Sequence, residues 1–320
     1  MKINSTPEPI YVEIKIAADL DTLWSHTQSP ELHQQWDLRF TEITYLPVSA
    51  GDEVQHFRYR TRIGFGIEIA GTGEAKTVPG RAGEARMSTL AFGSDQRLSL
   101  IRSGSGYWKY TPVDGGIDFA TRYNYQTRYG VLGRLVDRLL FRPLFGYATA
   151  WSFDVLRIWL EQRIPPAVSL QRALIHYLCA VMLAVLWCFQ GLVPKLLFPE
   201  GSELELLRAT GWFAGRELPF LQWLGGAEIA LGLLTLLLHR RKWMYRGQII
   251  LLALLAAVAL LGTPELLQAP FNPLTLNAAM IVLCLIAMML SSGLPHAGRC
   301  MRRPSFIKNG IGKPVRKELL

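Results

Sequence analysis

Arg163-Ile-Pro-Pro-Ala-Val-Ser169 divides the chain. Before it the residues read as a water-soluble α+β domain. After it come four apolar stretches, at 173–193, 220–238, 247–267 and 273–294. A hydrocarbon core of about 30 Å is crossed by about 20 helical residues, so each stretch is long enough to span a bilayer. Pro264 is expected to end the third helix early. The paired prolines stiffen the joint 164–171 between the two parts.

Half of the 320 residues are hydrophobic, and the excess lies after Ala173. The net charge is +9. Its Lys and Arg flank the apolar stretches, in His239–Arg246 (HRRKWMYR) and in the tail 297–320. No nucleic-acid motif accompanies them, so the basicity reads as loops that stay inside, not as a nucleic-acid surface. Residues 1–21 contain no apolar leader. With an even number of spans, both termini are expected in the cytoplasm, in a multi-pass protein of a bacterial-type cytoplasmic membrane. Cys179, Cys188, Cys284 and Cys300 show no metal or redox spacing and are expected to pack as small apolar residues.

Outward from the joint toward the N-terminus, Ile10, Val12, Ile14 and Ile16 alternate with polar residues, which predicts a half-buried strand. Asp19 or Asp21 caps a short helix through His26, and Ser29-Pro30 opens a second. Strands are expected at 39–46, 53–61, 65–77, 84–91, 97–103, 106–112 and 117–128, with Asp114-Gly-Gly as a hairpin turn. Along 117–128, Ile117, Phe119, Thr121, Tyr123, Tyr125 and Thr127 share one face. A long helix follows at 130–162, with Val131, Leu132, Leu135, Val136, Leu139 and Leu140 at helical spacing and Pro143 as a kink. His26, His33 and His56 are too scattered for a metal site, and His26 and His33 read as exposed helical residues.

Strand, two short helices, an antiparallel meander and one long helix form a recognisable order. With Asp21-x-x-Trp24 and Ser29-Pro-Glu31…Trp36, residues 8–163 resemble the START-like helix-grip superfamily, also called SRPBCC or polyketide cyclase/dehydrase-like. The resemblance implies a curved sheet gripping the long helix around a hydrophobic cavity. Trp36, Tyr59, Trp108, Tyr123 and Tyr125 are the candidate lining residues, since rings with polar tips suit an amphiphilic ligand.

Beyond the joint, polar residues inside apolar spans mark candidate sites. Glu228 lies within Gly225-Gly-Ala-Glu-Ile-Ala-Leu-Gly232 and His176 near the start of the first span. Gln190, Lys195, Asn272 and Asn277 lie toward the opposite ends of the first and fourth. Lys195 can snorkel to the interface, and with Glu265 the four read either as the lining of an outward-facing polar pocket or as caps of helix ends. Gln190-Gly-Leu-Val-Pro-Lys195-Leu-Leu, the Gly225/Glu228/Gly232 constellation and Phe271-Asn-Pro273 with Asn277 resemble the DoxX-like family of four-helix membrane proteins over 172–296.

The fold class expected is therefore an α+β helix-grip domain followed by an all-α four-helix transmembrane bundle. The function expected is a membrane-anchored binding protein for a lipid, quinone or polyketide-like molecule, captured at the cytoplasmic face. The alternatives are a cyclase/dehydratase-like or quinone-linked enzyme subunit and a structural or assembly protein. No G-x-S-x-G, Walker, dinucleotide or HExxH motif occurs, which weighs against an enzyme and names no catalytic residue, metal or cofactor. The bilayer, a hydrophobic ligand, a second copy and a membrane oxidoreductase are the partners considered; nucleic acid is not one.

Overall fold

In a computed structural model, residues 7–48, 52–78, 84–200, 202–211, 213–262, 272–304, 307–308 and 314–315 are described. Pro264, Glu265 and Phe271 lie outside them. The chain forms two compact units, Met1–Ser169 with Pro295–Leu320, and Leu170–Leu294.

The first unit is built on an antiparallel seven-stranded sheet packed against helices. The strands are β1 (Ile10–Ile16), β2 (Glu42–Tyr45), β3 (Val54–Gly64), β4 (Ile67–Val78), β5 (Arg86–Gly93), β6 (Ile101–Val113) and β7 (Gly116–Thr127), in the order β1-β7-β6-β5-β4-β3-β2. Between β1 and β2 lie α1 (Leu20–Gln28), capped by Asp19 through the Thr22 amide, and α2 (Pro30–Trp36). Alternation explains β1 and β7: Val12, Ile14, Ile16, Ile117, Phe119 and Tyr123 are buried.

Two expected strands, 97–103 and 106–112, are in fact the single strand β6 with an irregularity at Arg102. The glycines of Ser103-Gly-Ser-Gly106 suggest a turn, but they sit within the ladder. A Cβ on Gly106 would stand 2.4 Å from the Tyr123 Cβ, and one on Gly104 2.5 Å from the Phe92 ring. They are there for close approach, not for a bend.

After β7 the helical path is α3 (Gly130–Val136), a π-helical turn at Asp137–Phe141, and α4 (Arg142–Gln162). Pro143 sits in the first turn of α4, where its missing N–H costs little. The sheet grips α4. Phe153 stacks on Phe119 with centroids 4.4 Å apart and meets Trp36 edge-on at 6.0 Å. Arg163, at φ 58°, ends α4 in the left-handed conformation.

Residues 296–301, which include the start of the expected tail, pack on the first unit. Glu13 and Met301 exchange both backbone hydrogen bonds at 2.9 Å, the His296 amide donates to Asp154 (2.7 Å), and the Cys300 thiol donates to the Ala150 carbonyl (3.2 Å). These contacts cover the edge of β1, which would otherwise present unpaired groups.

Among the described residues four helices are of bilayer length: α5 (Pro166–Gly191, continued by a π-helical end at Leu192–Leu197), α7 (Glu217–Leu237), α8 (Lys242–Gly262) and α9 (Pro273–Leu290), with the short α6 (Ser202–Thr210) after α5. Leu183, Trp187, Leu252, Met280 and Cys284 form the interior, while Leu178, Val185, Leu254 and Val258 are exposed, as in helices bathed by lipid. Helices α5 and α7 meet through small residues. A Cβ on Gly191 would lie 2.3 Å from the Gly225 carbonyl oxygen, and one on Gly232 2.8 Å from that of Ala184.

Candidate functional site

Between the sheet and α4 the first unit encloses a cavity of about 330 Å³. Most of its wall is apolar, supplied by residues such as Ile43, Phe57, Leu90, Phe92 and Phe145. Tyr59, Trp108 and Tyr123 line it, whereas Trp36 and Tyr125 stand outside the lining. Trp36 is buried behind it and donates its indole N–H to the His26 carbonyl at 2.9 Å. Tyr125 donates to Asp137 at 2.6 Å, beneath the Arg142 guanidinium.

Two polar groups interrupt the apolar wall. At one, the Gln28 amide donates to the Tyr110 hydroxyl (2.9 Å), Ser88 donates to the Gln28 amide oxygen (3.3 Å), and Tyr45 donates to the Gln28 carbonyl (2.8 Å). Burial pushes the phenols of Tyr45 and Tyr59 up to about 12, so both stay neutral. At the other, Arg39 reaches Asp37 through Nε (2.8 Å) and Nη2 (2.6 Å), and His33 Nε2 lies 3.0 Å from the same carboxylate. Burial alone would raise the Asp37 carboxyl, but Arg39 and His33 hold it well below the usual range. At His33 the balance is reversed: burial outweighs Asp37 and lowers that imidazole, so it is neutral near pH 7. Far from being an exposed helical residue, His33 is buried against Trp36 and Trp108. The Arg39 fork is taken up by Asp37, so the cavity offers neutral hydrogen-bonding groups and aromatic faces, not a free cation.

Sequence reasoning passed over Gln28, Asp37, Arg39 and Ser88. The available signal was Trp36-Asp-Leu-Arg39, two opposite charges directly after a buried tryptophan, which resembles an ordinary solvated helix exit.

In the second unit Glu228 and Lys195 come together. Lys195 Nζ lies 2.9 Å from Glu228 Oε2 and 2.9 Å from Glu203 Oε2, and donates to the Gln190 carbonyl at 3.2 Å. The contact with Glu228 is an ion pair. Lys195 is buried and turned inward, where the sequence suggested snorkelling. His176 is buried too, with Nδ1 2.9 Å from the Ala287 carbonyl and Nε2 3.0 Å from His239 Nδ1. Asn272 caps α9 through the Thr275 amide, and Asn277 approaches the Leu252 carbonyl at 3.5 Å. Between these ends, Trp187 donates to Gln248 (2.8 Å), which donates to Thr235 (3.1 Å). Gln248 and Thr235 were not among the expected sites, although each is a polar residue inside an apolar run.

A cavity-bearing helix-grip unit with four bilayer-length helices defines a two-part membrane protein. Residues 184–285 match the model of the DoxX-like family. The uncharacterized membrane protein YndG of Bacillus subtilis (strain 168) is 47% identical over 241 residues, covering 75% of this chain and 81% of that protein. The chain belongs to the family of that protein, and its second half carries a DoxX-like domain. Among solved structures, TTHA0849 from Thermus thermophilus aligns at a TM-score of 0.38 and 13% identity, over 47% of this chain and 94% of that one. A STAR-related lipid transfer protein fragment from Xanthomonas axonopodis aligns at 0.37 and 16%, over 49% and 88%.

Proposed function

We propose that this membrane protein binds a hydrophobic or amphiphilic small molecule in its first unit. The observation that carries the reading is the cavity of about 330 Å³, mostly apolar and interrupted by a few neutral polar groups. Small-molecule sites range over about 300–1,000 Å³ and have this composition. The ligand has an apolar or aromatic body and an uncharged polar end directed to Gln28 and Ser88. The division into a binding domain at 8–163, a joint at 164–171 and a membrane domain at 172–296 follows from the same reading. Packing of residues 295–301 on the first unit, together with an even number of spans, supports placing both on one side of the membrane. The basic loop His239–Arg246 supports the cytoplasmic side of a bacterial inner membrane.

Native mass spectrometry of the full chain after gentle extraction tests this. A bound small molecule is expected in the wild type. Leu90→Trp places an indole in the cavity, at a strain of about 1–3 kcal/mol, and is expected to abolish that adduct while the chain stays folded. A wild type without ligand, or equal adducts in both proteins, counts against the reading.

A further inference from the structure

The apolar stripe after β7 does not join the core of the first unit. Val131, Leu132, Leu135, Val136, Leu139 and Leu140 are all exposed, Leu139 by 71%. Leu144 and Tyr147 continue the exposed surface into α4. A soluble surface seldom leaves so many large apolar side chains side by side unless something covers them. The charges around them have one sign. Between residues 129 and 147 the one carboxylate is Asp137, which is buried and paired with Arg142 at 3.0 Å. Arg134 and Arg138 are exposed.

The tip of the β3–β4 hairpin is a second exposed apolar element. Ile63, Phe65 and Ile67 are exposed there, and Phe65 is held at φ 50° between two glycines that also have positive φ. Leu38 and Ile63 line the cavity while 47% and 60% exposed, so they mark its mouth. Phe141 and Phe145 line the cavity from the helical side. The hairpin tip and the leucine stripe therefore flank one opening.

We propose that this collar is a seat for an anionic lipid surface, which places the mouth of the cavity at the polar–apolar boundary of the bilayer. Leucines below and arginines beside them are the chemistry of a segment that lies in a membrane interface. The arginines complement anionic headgroups. The first unit stays tethered to a bilayer, because three residues separate the C-terminal end of α4 from the first bilayer-length helix. The lipid seat stands on the exposed surface alone. The further step, that ligand passes between membrane and cavity through this mouth, rests on the reading of the cavity as a binding site.

The test uses the full chain in vesicles of phosphatidylethanolamine and phosphatidylglycerol, with a photoactivatable benzoylphenylalanine at one position at a time. At Leu139 and at Phe65 the expected products are phospholipid adducts. At Lys76, on the far end of the same hairpin and roughly 36 Å from Phe65 at about 3.3 Å per residue, none is expected. Cross-links from Leu139 to a second copy or to the chain's own helices, without lipid adducts, would overturn the proposal, as would no adduct at all. The adduct yield at Leu139 is expected to fall several-fold in purely zwitterionic vesicles; an unchanged yield would overturn its anionic part. Ligand content measured on the same sample separates the two readings: an empty cavity with lipid adducts at Leu139 ends the binding reading and leaves the seat standing.

Discussion

Asp37→Ala is expected to destabilise the first unit by about 3–5 kcal/mol, the cost of removing one partner from a buried ion pair. The Asp37 side chain is wholly buried and satisfies three groups at once: the Arg39 guanidinium, the Arg39 backbone amide at 3.1 Å and His33. Its loss leaves a guanidinium held among Phe40, Tyr123 and Phe145, with ring centroids at 5.6–5.7 Å and little access to water. Asp37→Asn keeps the shape but not the charge and is expected to cost almost as much. Removing both charges, in Asp37→Asn with Arg39→Met, is expected to cost less than either loss alone. Because the chain has two units, a single melting temperature is a poor measure. Hydrogen exchange of the β7 amides in the full chain reads the first unit alone. Protection there is expected to fall by roughly two to three and a half powers of ten, at about 1.4 kcal/mol per power. A change below tenfold would mean that the carboxylate is not holding this wall.

The same cluster sets a pH dependence. The folded pKa of His33 is lowered by burial, so the unfolded chain takes up that proton first. Stability is full above the unfolded value of about 6.5 and is lost as pH falls below it. The Asp37 carboxyl is also depressed, by Arg39 and His33 against the opposing effect of burial. Its contribution is present above about pH 3.9 and is lost as pH falls further. Acid loosening should therefore come in two stages, and His33→Phe should remove the first.

What the sequence made legible were the features set by periodicity and length. The alternation of β1 and β7, the break at Pro165-Pro166 and the four apolar runs needed no knowledge of partners. Other features depended on which residue lies across the gap. Gly104 and Gly106 look like punctuation until Phe92 and Tyr123 are seen to need the space. The leucine stripe at 131–140 has the spacing of a buried face, and spacing alone does not say whether sheet or lipid faces it. Each member of the Lys195–Glu228 pair stands out as a charge in an apolar span. Their meeting depends on α5 and α7 packing through Gly191 and Gly225, which no local pattern encodes.

That pairing carries the second large effect. Lys195→Met is expected to destabilise the helical bundle by about 3–5 kcal/mol. Gly225, Glu228, Gly232 and Thr235 recur at spacings of three, four and three residues, so they share the face of α7 that carries the close contact with α5. Glu228 is thus caught between two close backbone crossings and cannot swing outward to water without parting the helices. Its side chain is 11% exposed and that of Lys195 4%, while Glu203, at 36%, can be solvated by itself. Losing Lys195 therefore strands Glu228 far more than Glu203. The converse change is milder, because Glu228→Gln leaves Lys195 paired with Glu203, and about 1–2 kcal/mol is expected. The double change Lys195→Met with Glu228→Met replaces an ion pair by apolar groups and should recover most of the loss. Unfolding of the full chain by titration from a mild detergent into dodecyl sulfate measures all three. Lys195→Met costing no more than Glu228→Gln would mean that water or Glu203 supports Glu228 without the lysine. No recovery in the double variant would mean that Lys195 acts through Glu203 and the Gln190 carbonyl instead.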